Sequence, residues 1–301
     1  MSEPRPTTRT DYAERILRVL LHIQHNLDRD LSLAELADIA HFSPFHFHRV
    51  FRGQVGESVM QHIRRLRLER AAMRLKNSDR PVTELAFEAG YEAHEAFTRA
   101  FHSAFGCSPS DYRAAGAAAE LDTPTAVHFI AAGRDMNFTP ISLESNPMDV
   151  EIKELPLMRV AFIRHTGPYE QCGATWGKLC GWMGMKGLFG PNVRMFGASY
   201  DDPEITPVDK IRYDACATVP ESVEAEGEVG IQEFGGGKWA VTMHEGPYEN
   251  FKDTYAALYG RWFAESEYEP GDSPTLEFYL NDPNTTPPAE LRTEIWVRLR
   301  D

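Results

Sequence analysis

Three groups of side chains in this 301-residue sequence have types and spacings that can do chemistry. Phe45, His48, Arg49 and Arg52 follow Ser43–Pro44 at intervals of one and three, and His94, Glu95, Thr98 and Arg99 follow Gly90 in a similar way. On short helices these sets would present a ring, imidazoles and guanidinium forks on the first two turns. Such groups suit a DNA major groove, where Arg grips guanine through O6 and N7 and a ring presses on a thymine methyl. The third group is aromatic, with Trp176, Trp182, Tyr213, Tyr255, Tyr279 and Trp296, whose ring faces attract cations. His165 and His244 stand in matching turns and have the chemistry of acid–base catalysts, yet their repetition favours a structural role at a helix start. No G-x-S-x-G, H-E-x-x-H or phosphate-binding glycine loop occurs, so no catalytic residue is assigned and an enzyme is not expected. Cys107, Cys172, Cys180 and Cys216 show no metal-ligand spacing and read as reduced thiols, with no metal and no cofactor.

The elements that must position these groups divide the chain. Residues 1–115 carry 16 Lys+Arg against 15 Asp+Glu, whereas the remainder carries 15 against 30. All five tryptophans lie between Trp176 and Trp296, and eight of eleven histidines lie before residue 115. Two domains with different work follow from that split. No run is long and apolar enough to span a bilayer, and the start lacks a signal peptide's apolar core, so a cytoplasmic protein without a membrane partner is expected.

Residues 1–10 read as frayed; Ile16, Val19, Leu20, Ile23 and Leu27 then mark a first helix. Ser32 with Glu35 predicts a capping box before a short helix, and His41–Phe42 a turn. Ser43–Pro44 predicts a second helix running towards Gly56. A helix over 58–76 carries Arg64, Arg65, Arg67, Arg70 and Arg74, either as a solvated face or beside phosphates. After Arg80–Pro81 the pattern repeats, with Thr83 as the expected cap, Gly90 as the turn, and a helix over 93–105 whose Phe97, Phe101 and Phe105 face inward. Residues 116–147 read as a linker with one short strand at 126–131.

The acidic half contains a duplication. RHTGPYEQ at Arg164–Gln171 recurs as MHEGPYEN at Met243–Asn250, an offset of 79 that later becomes 80, where Asp202–Pro203 matches Asp282–Pro283 and Asp214 matches Glu294. Each unit, about 148–220 and 227–300, reads strand, turn, strand, GPY, helix, strand, loop, strand, with Gly235–Gly237 as a hairpin. In LRTEIWVRL alternation places Leu291, Thr293, Ile295, Val297 and Leu299 on one face and Arg292, Glu294, Trp296 and Arg298 on the other. Two such units pack into one pseudo-symmetric antiparallel sheet with two helices, and a ligand site is expected at the seam. The fold class is therefore α+β multidomain: an all-α double helix-turn-helix domain over 10–115, a linker over 116–147, and a duplicated antiparallel α+β sheet domain over 148–301.

The two helix pairs, the joining helix and GYEAHEAFTRAFHSAFGCSPSDYR resemble the AraC/XylS family of bacterial transcription regulators. The resemblance implies two recognition helices in successive major grooves, with Phe45, His48 and Arg49 facing bases in one unit and His94, Glu95 and Arg99 in the other. Arg49 and Arg99 can alternatively each hold a carboxylate within its own subdomain. Residues 148–300, through the paired HxGPY elements and TEIWVRL, resemble the GyrI-like (SbmC-like) effector-binding domain; Arg298 departs from the proline usual near that motif's end. That resemblance implies an aromatic cleft with a buried acidic group suited to bulky or cationic compounds. It places Glu294 as the acid beside Trp296, with Trp176, Tyr213, Tyr255 and Tyr279 as further lining residues. Glu294 can instead pair with Arg292 or Arg298 on an exposed face, and Asp214, its repeat mate, reads as structural. Some GyrI-like proteins are hydrolases that use a Glu and a Tyr in the cleft, so a drug-sequestering or xenobiotic-hydrolysing protein is the alternative to a regulator. Double-stranded DNA, a small-molecule effector and RNA polymerase are the partners so implied.

Overall fold

The computed structural model describes residues 8–116, 121, 123–125, 127–131, 136, 138–141 and 148–300. The chain divides into two compact units, Met1–Glu144 with Tyr259–Ala264, and Ser145–Leu258 with Glu265–Asp301.

The first unit is helical. It contains α1 (Thr8–His25), α2 (Leu33–Ala40), α3 (Pro44–Val55), α4 (Val59–Asn77), α5 (Val82–Glu88), α6 (His94–Phe105) and α7 (Pro109–Ala115). Of the N-terminal stretch expected to fray, Thr8–Thr10 already belong to α1 and residues 1–7 lie outside the described residues. The Ser32 hydroxyl accepts the Glu35 amide at 3.2 Å, but Glu35 does not complete the box. Its carboxylate turns to Arg29 and to His22, 3.0 Å away. Ser43 caps α3, Pro44 occupies its first turn, and Gly56 ends it at φ 83°, a left-handed conformation that costs glycine little. The full capping box appears at α4 instead, between Ser58 and Gln61. Helix α5 starts at Val82 with Pro81 as its cap residue and no side-chain cap bond, so Thr83 is not the cap. Phe97 and Phe101 are fully buried, and Tyr112 meets Phe101 edge-on at 5.3 Å between centroids. Side chains of that size each contribute about 1.5–3 kcal/mol on burial.

Four of the five arginines named on helix α4 bond within the helical unit, whereas Arg64 is exposed. Arg65 pairs with Glu57 and Glu69, Arg70 with Asp28, and Arg74 with Glu88, while Arg67 donates to the Leu27 and Arg29 carbonyls. These four are internal braces. The stretch expected to be a linker is likewise bound to the helices where it is described. The Gln24 amide donates to the His128 carbonyl at 2.7 Å and accepts the Ile130 amide at 3.2 Å. Glu69 accepts the Phe129 amide at 2.6 Å and faces His128 Nδ1 at 3.1 Å, Val127 is buried, and the Ile141 amide reaches the Gln54 carbonyl. No strand forms over 127–131, because these backbone groups bond to side chains and not to another strand; Ala126 lies outside the described residues.

The second unit is one antiparallel sheet of β1 (Val150–Glu154), β2 (Met158–Thr166), β3 (Met195–Ser199), β4 (Arg212–Thr218), β5 (Gly230–Phe234), β6 (Lys238–Glu245), β7 (Thr275–Tyr279) and β8 (Arg292–Arg298), in the order β1-β6-β8-β7-β3-β4-β2-β5. The repeats are interlocked. Strand β1 of the first repeat pairs with β6 of the second, and β5 of the second pairs with β2 of the first. The two connecting turns bond to each other, Leu155 amide to Gly237 carbonyl at 3.1 Å and Gly236 amide to Leu155 carbonyl at 2.8 Å. Helix α8 (Gly173–Met185) packs on β2 and β4; α9 (Phe251–Ala257) is its repeat mate and runs on into a π-helical turn, Leu258–Trp262. One sheet face buries Ala161, Ile163, Leu179, Met183, Tyr213 and Ala215 with α8. The opposite face buries Val160, Phe196, Cys216, Trp239, Leu276, Phe278 and Trp296.

Candidate DNA-reading helices and effector site

Helix α3 differs from expectation. His48 and Arg49 are only 2% and 5% exposed, where outward-facing side chains were expected. Burial extends beyond the apolar stripe of Phe47, Val50, Phe51 and Val55 to His46 and Gln54. Within this unit the Arg49 guanidinium lies over the Tyr259 ring, 5.1 Å from its centroid. Arg52 is half-buried, and the Phe45 side chain lies outside the described residues. Helix α6 keeps the expected orientation, with Glu95 and Arg99 exposed and His94 and Thr98 half-buried. The Thr98 hydroxyl donates back to the His94 carbonyl at 2.9 Å, and Thr98, Arg99, His102 and Ser103 line a groove of about 500 Å³.

In the sheet unit the GPY turns use their histidines internally. A carbonyl only accepts, so Nε2–H of His165 and of His244 donates to Pro168 and Pro247, at 2.9 and 3.2 Å. His244 Nδ1 meets the Thr254 hydroxyl at 2.7 Å, and burial holds this imidazole's pKa below the ordinary histidine value. Both rings therefore fasten the turn that aims the following helix, at glycines with φ of 133° and 123°.

The expected lining residues fall on two faces. Glu294 and Trp296 share the face of Phe278 and Cys216, where Glu294 pairs with Lys153 at 3.3 Å and accepts the Trp296 indole N–H at 2.9 Å. Arg292 pairs with Glu245. Asp214 lies on the same face, fully buried, and accepts from Arg164 (2.7 and 2.8 Å), Tyr200 (2.9 Å) and Gln232 (3.0 Å). Its charge is thus already met by the Arg164 guanidinium. Trp176, Tyr213, Tyr255 and Tyr279 converge on the helix-covered face instead, where Glu294 is absent. Trp182, in the same cluster as Tyr213, donates its indole N–H to Glu226 at 3.0 Å.

At the centre of that second face stands Glu277 of β7, 4% exposed. Its Oε1 accepts from Tyr255 at 2.7 Å and Ser199 at 2.9 Å, and its Oε2 accepts from Tyr279 at 3.0 Å. Tyr279 is 2.8 Å from the Tyr213 hydroxyl, which in turn lies 3.0 Å from the Trp176 indole nitrogen. The Trp176 and Tyr248 rings flank Tyr279 at 5.7 and 5.5 Å. Burial first, and then the Glu277 charge, pushes the Tyr213 hydroxyl's pKa well above its ordinary value; burial with the Tyr213 and Glu277 charges does the same for Tyr279. Neither Glu277 nor Ser199 was anticipated; the available signal was one acidic residue inside the otherwise apolar TLEFY. Burial pushes the Cys172 thiol up to about 12 and Cys216 well above its usual value, which suits inert thiols. Among the described residues no group of His, Cys, Asp and Glu can hold a metal, and no helix is long and apolar enough to cross a membrane.

Comparison with known proteins agrees with this division. The family described as "GyrI-like small molecule binding domain" matches residues 148–300, and that described as "Helix-turn-helix domain" matches 36–115. The chain is 34% identical over 95 residues to the multiple antibiotic resistance protein MarA of Salmonella typhimurium, covering 32% of this chain and 75% of MarA. It is 34% identical over 102 residues to the uncharacterized HTH-type transcriptional regulator YbfP of Bacillus subtilis, covering 34% of this chain and 35% of YbfP. It thus spans about a third of that relative's length. Among solved structures, the EcmrR C-terminal domain aligns with a TM-score of 0.42 at 20% identity, over 51% of this chain and 98% of that one.

Proposed function

The chain belongs to the AraC-type helix-turn-helix regulators and carries a GyrI-like small molecule binding domain, and from that premise we propose that a cationic aromatic effector held at Glu277 sets its DNA-bound or polymerase-contacting state. The observation that carries the effector reading is the direction of the hydrogen bonds. An indole N–H can only donate, so the Tyr213 oxygen accepts from Trp176; when Tyr279's one proton points to Glu277, the Tyr213 hydroxyl is the donor to Tyr279. Tyr279 then donates to Glu277, and the Tyr255 and Ser199 hydroxyls do the same. Three hydroxyls thus converge on one buried carboxyl group. An ionised carboxylate among aromatic faces selects a positive charge. We read the site as one that binds and releases, since Tyr213 and Tyr279 each commit the hydroxyl to a neighbour and hold the proton.

On the DNA side, α6 offers His94, Glu95, Thr98 and Arg99 to one major groove, and α3 offers Phe45, His48, Arg49 and Arg52 to the next once its buried side chains are released. Effector binding shifts the output by its differential affinity for the two states. Calorimetry of the full chain with tetraphenylphosphonium, an apolar aromatic monocation, tests the sensor. Glu277→Gln should weaken binding about 10- to 100-fold, the worth of one desolvated charge contact. Unchanged affinity in that variant, or an equal loss in Glu294→Gln, would refute the assignment.

A further inference from the structure

The duplication leaves a question at the centre of the sheet. Strands β3 and β7 are neighbours, with Phe196 opposite Phe278, Gly197 opposite Glu277 and Ala198 opposite Leu276. The repeat offset of 80 exchanges Gly197 with Glu277 and leaves their pair in place, so the pseudo-two-fold axis passes through it. A symmetric domain would carry a second carboxylate at 197. Opposed residues hold their Cβ atoms about 4.5–5.5 Å apart, and like charges at that distance repel.

Instead the first half is filled. A Cβ on Gly197 would meet the Tyr213 ring, with Cε2 at 2.5 Å and Cζ at 2.6 Å, so the tyrosine occupies the room that a side chain would need. The repeat mate of Tyr213 is Thr293, which lies beside Tyr279 on one side and His244 on the other. Threonine is the smaller side chain at the place that the ring takes in the other half. Its hydroxyl is buried, at 1% exposure for the residue, and has no hydrogen-bond partner among the described residues. An orphaned buried hydroxyl costs roughly 1–3 kcal/mol, which a ligand group can recover. His244, the next polar side chain on that face, is already committed to Thr254 and Pro247.

Resting on the reading of Glu277 as the effector's carboxylate, we propose that the site is single and one-sided. Gly197 admits Tyr213 and so closes the first half, while Thr293, the smaller side chain at the matching place, offers its hydroxyl to a monocation that carries a hydrogen-bonding group. Thr293 is then a specificity-determining residue, and one chain binds one effector despite its two repeats.

Calorimetry of the full chain with two probes tests this. Tetraphenylphosphonium has no hydrogen-bonding group, whereas ethidium carries aryl amines. Wild type should bind one equivalent of each. Thr293→Val, nearly isosteric, should weaken ethidium about three- to tenfold, the worth of one neutral hydrogen bond, and leave tetraphenylphosphonium unchanged. Thr293→Tyr, which puts the first half's ring at the matching place, should weaken both probes more than tenfold. Two equivalents per chain, or ethidium affinity unchanged in Thr293→Val, would overturn this inference while leaving Glu277 as the charge contact. Failure of wild type to bind either probe would overturn the Glu277 reading, and this one with it.

Discussion

Replacing Glu57 by glutamine should flatten the acid side of the helical unit's stability curve. Glu57 joins α3 to α4, and its side chain is 14% exposed. It faces His62 Nδ1 at 2.8 Å and accepts from Arg65 Nε at 3.2 Å, while His62 is fully buried with its ring edge-on to Phe51. Burial alone would raise the carboxyl's pKa, but the hydrogen bonds from His62 and Arg65 outweigh it and hold the group at about 2 against an ordinary 4.5. A folded-state value below the unfolded one contributes stability above the unfolded value and loses it as pH falls towards the folded one. The window is therefore pH 4.5 down to about 2. At about 1.4 kcal/mol per pH unit the full difference is worth about 3 kcal/mol, and partial solvent screening brings it to about 2 kcal/mol. Urea unfolding across a pH series is the assay. Far-UV circular dichroism follows chiefly the helical unit, whereas Trp176, Trp182, Trp239 and Trp296 report on the sheet unit. Glu57→Gln should be less stable than wild type at neutral pH by about 2 kcal/mol and should converge on it near the bottom of the window. His62, held below its ordinary value by burial, adds a separate loss as pH falls from 6.5, and the variant should keep that step. A gap between the two proteins of equal size at neutral and low pH would refute the reasoning.

Two further outcomes follow from groups already described. Glu69→Ala removes the acceptor of the Phe129 amide, a bond to a charged group worth about 1.5–3 kcal/mol, so hydrogen exchange at Phe129 and Ile130 should quicken about 10- to 100-fold; unchanged protection would show that Gln24 alone holds this segment. Arg99→Ala should weaken operator binding by about 1–3 kcal/mol in a mobility-shift assay if it reads a base, whereas a uniform loss across sequences with a shallower salt dependence would make it a phosphate contact.

Much of the helical unit was legible because its punctuation is local. Ser43–Pro44, Gly56 and Ser58 act within one turn of where they stand, and the structure uses them as helix starts and stops. Thr83 misled because Pro81 already sets the backbone entering α5. In the sheet, alternation correctly put Glu294 and Trp296 on one side of β8 but could not say which side the helices cover, since both faces are apolar and buried. The carboxylate nearest the tyrosines therefore went unseen, although TLEFY carries it between two apolar neighbours. The burial of His48 and Arg49 has no local signature, for both lie off the apolar stripe of Phe47, Val50, Phe51 and Val55, and Tyr259, which Arg49 overlies, is distant in sequence. The attachment of residues 127–130 depends on Gln24 and Glu69, partners distant in sequence that no short window contains.

The exchange of first strands between the repeats has a consequence for how this protein comes into being. Strand β1 is made early but finds its partner only when β6 has been synthesised, and β2 gains its second neighbour only with β5. Pairings of such wide sequence separation form slowly, because a long loop must close before they contribute. The helical unit, rich in local contacts, can assemble while the sheet domain is still incomplete. During that interval β1 and β2 stand as unpaired edges. Neither repeat excised alone would bury its first strand, so a half-domain should aggregate, and the duplicated ancestor of this arrangement is best pictured as a strand-exchanged dimer later fused into one chain.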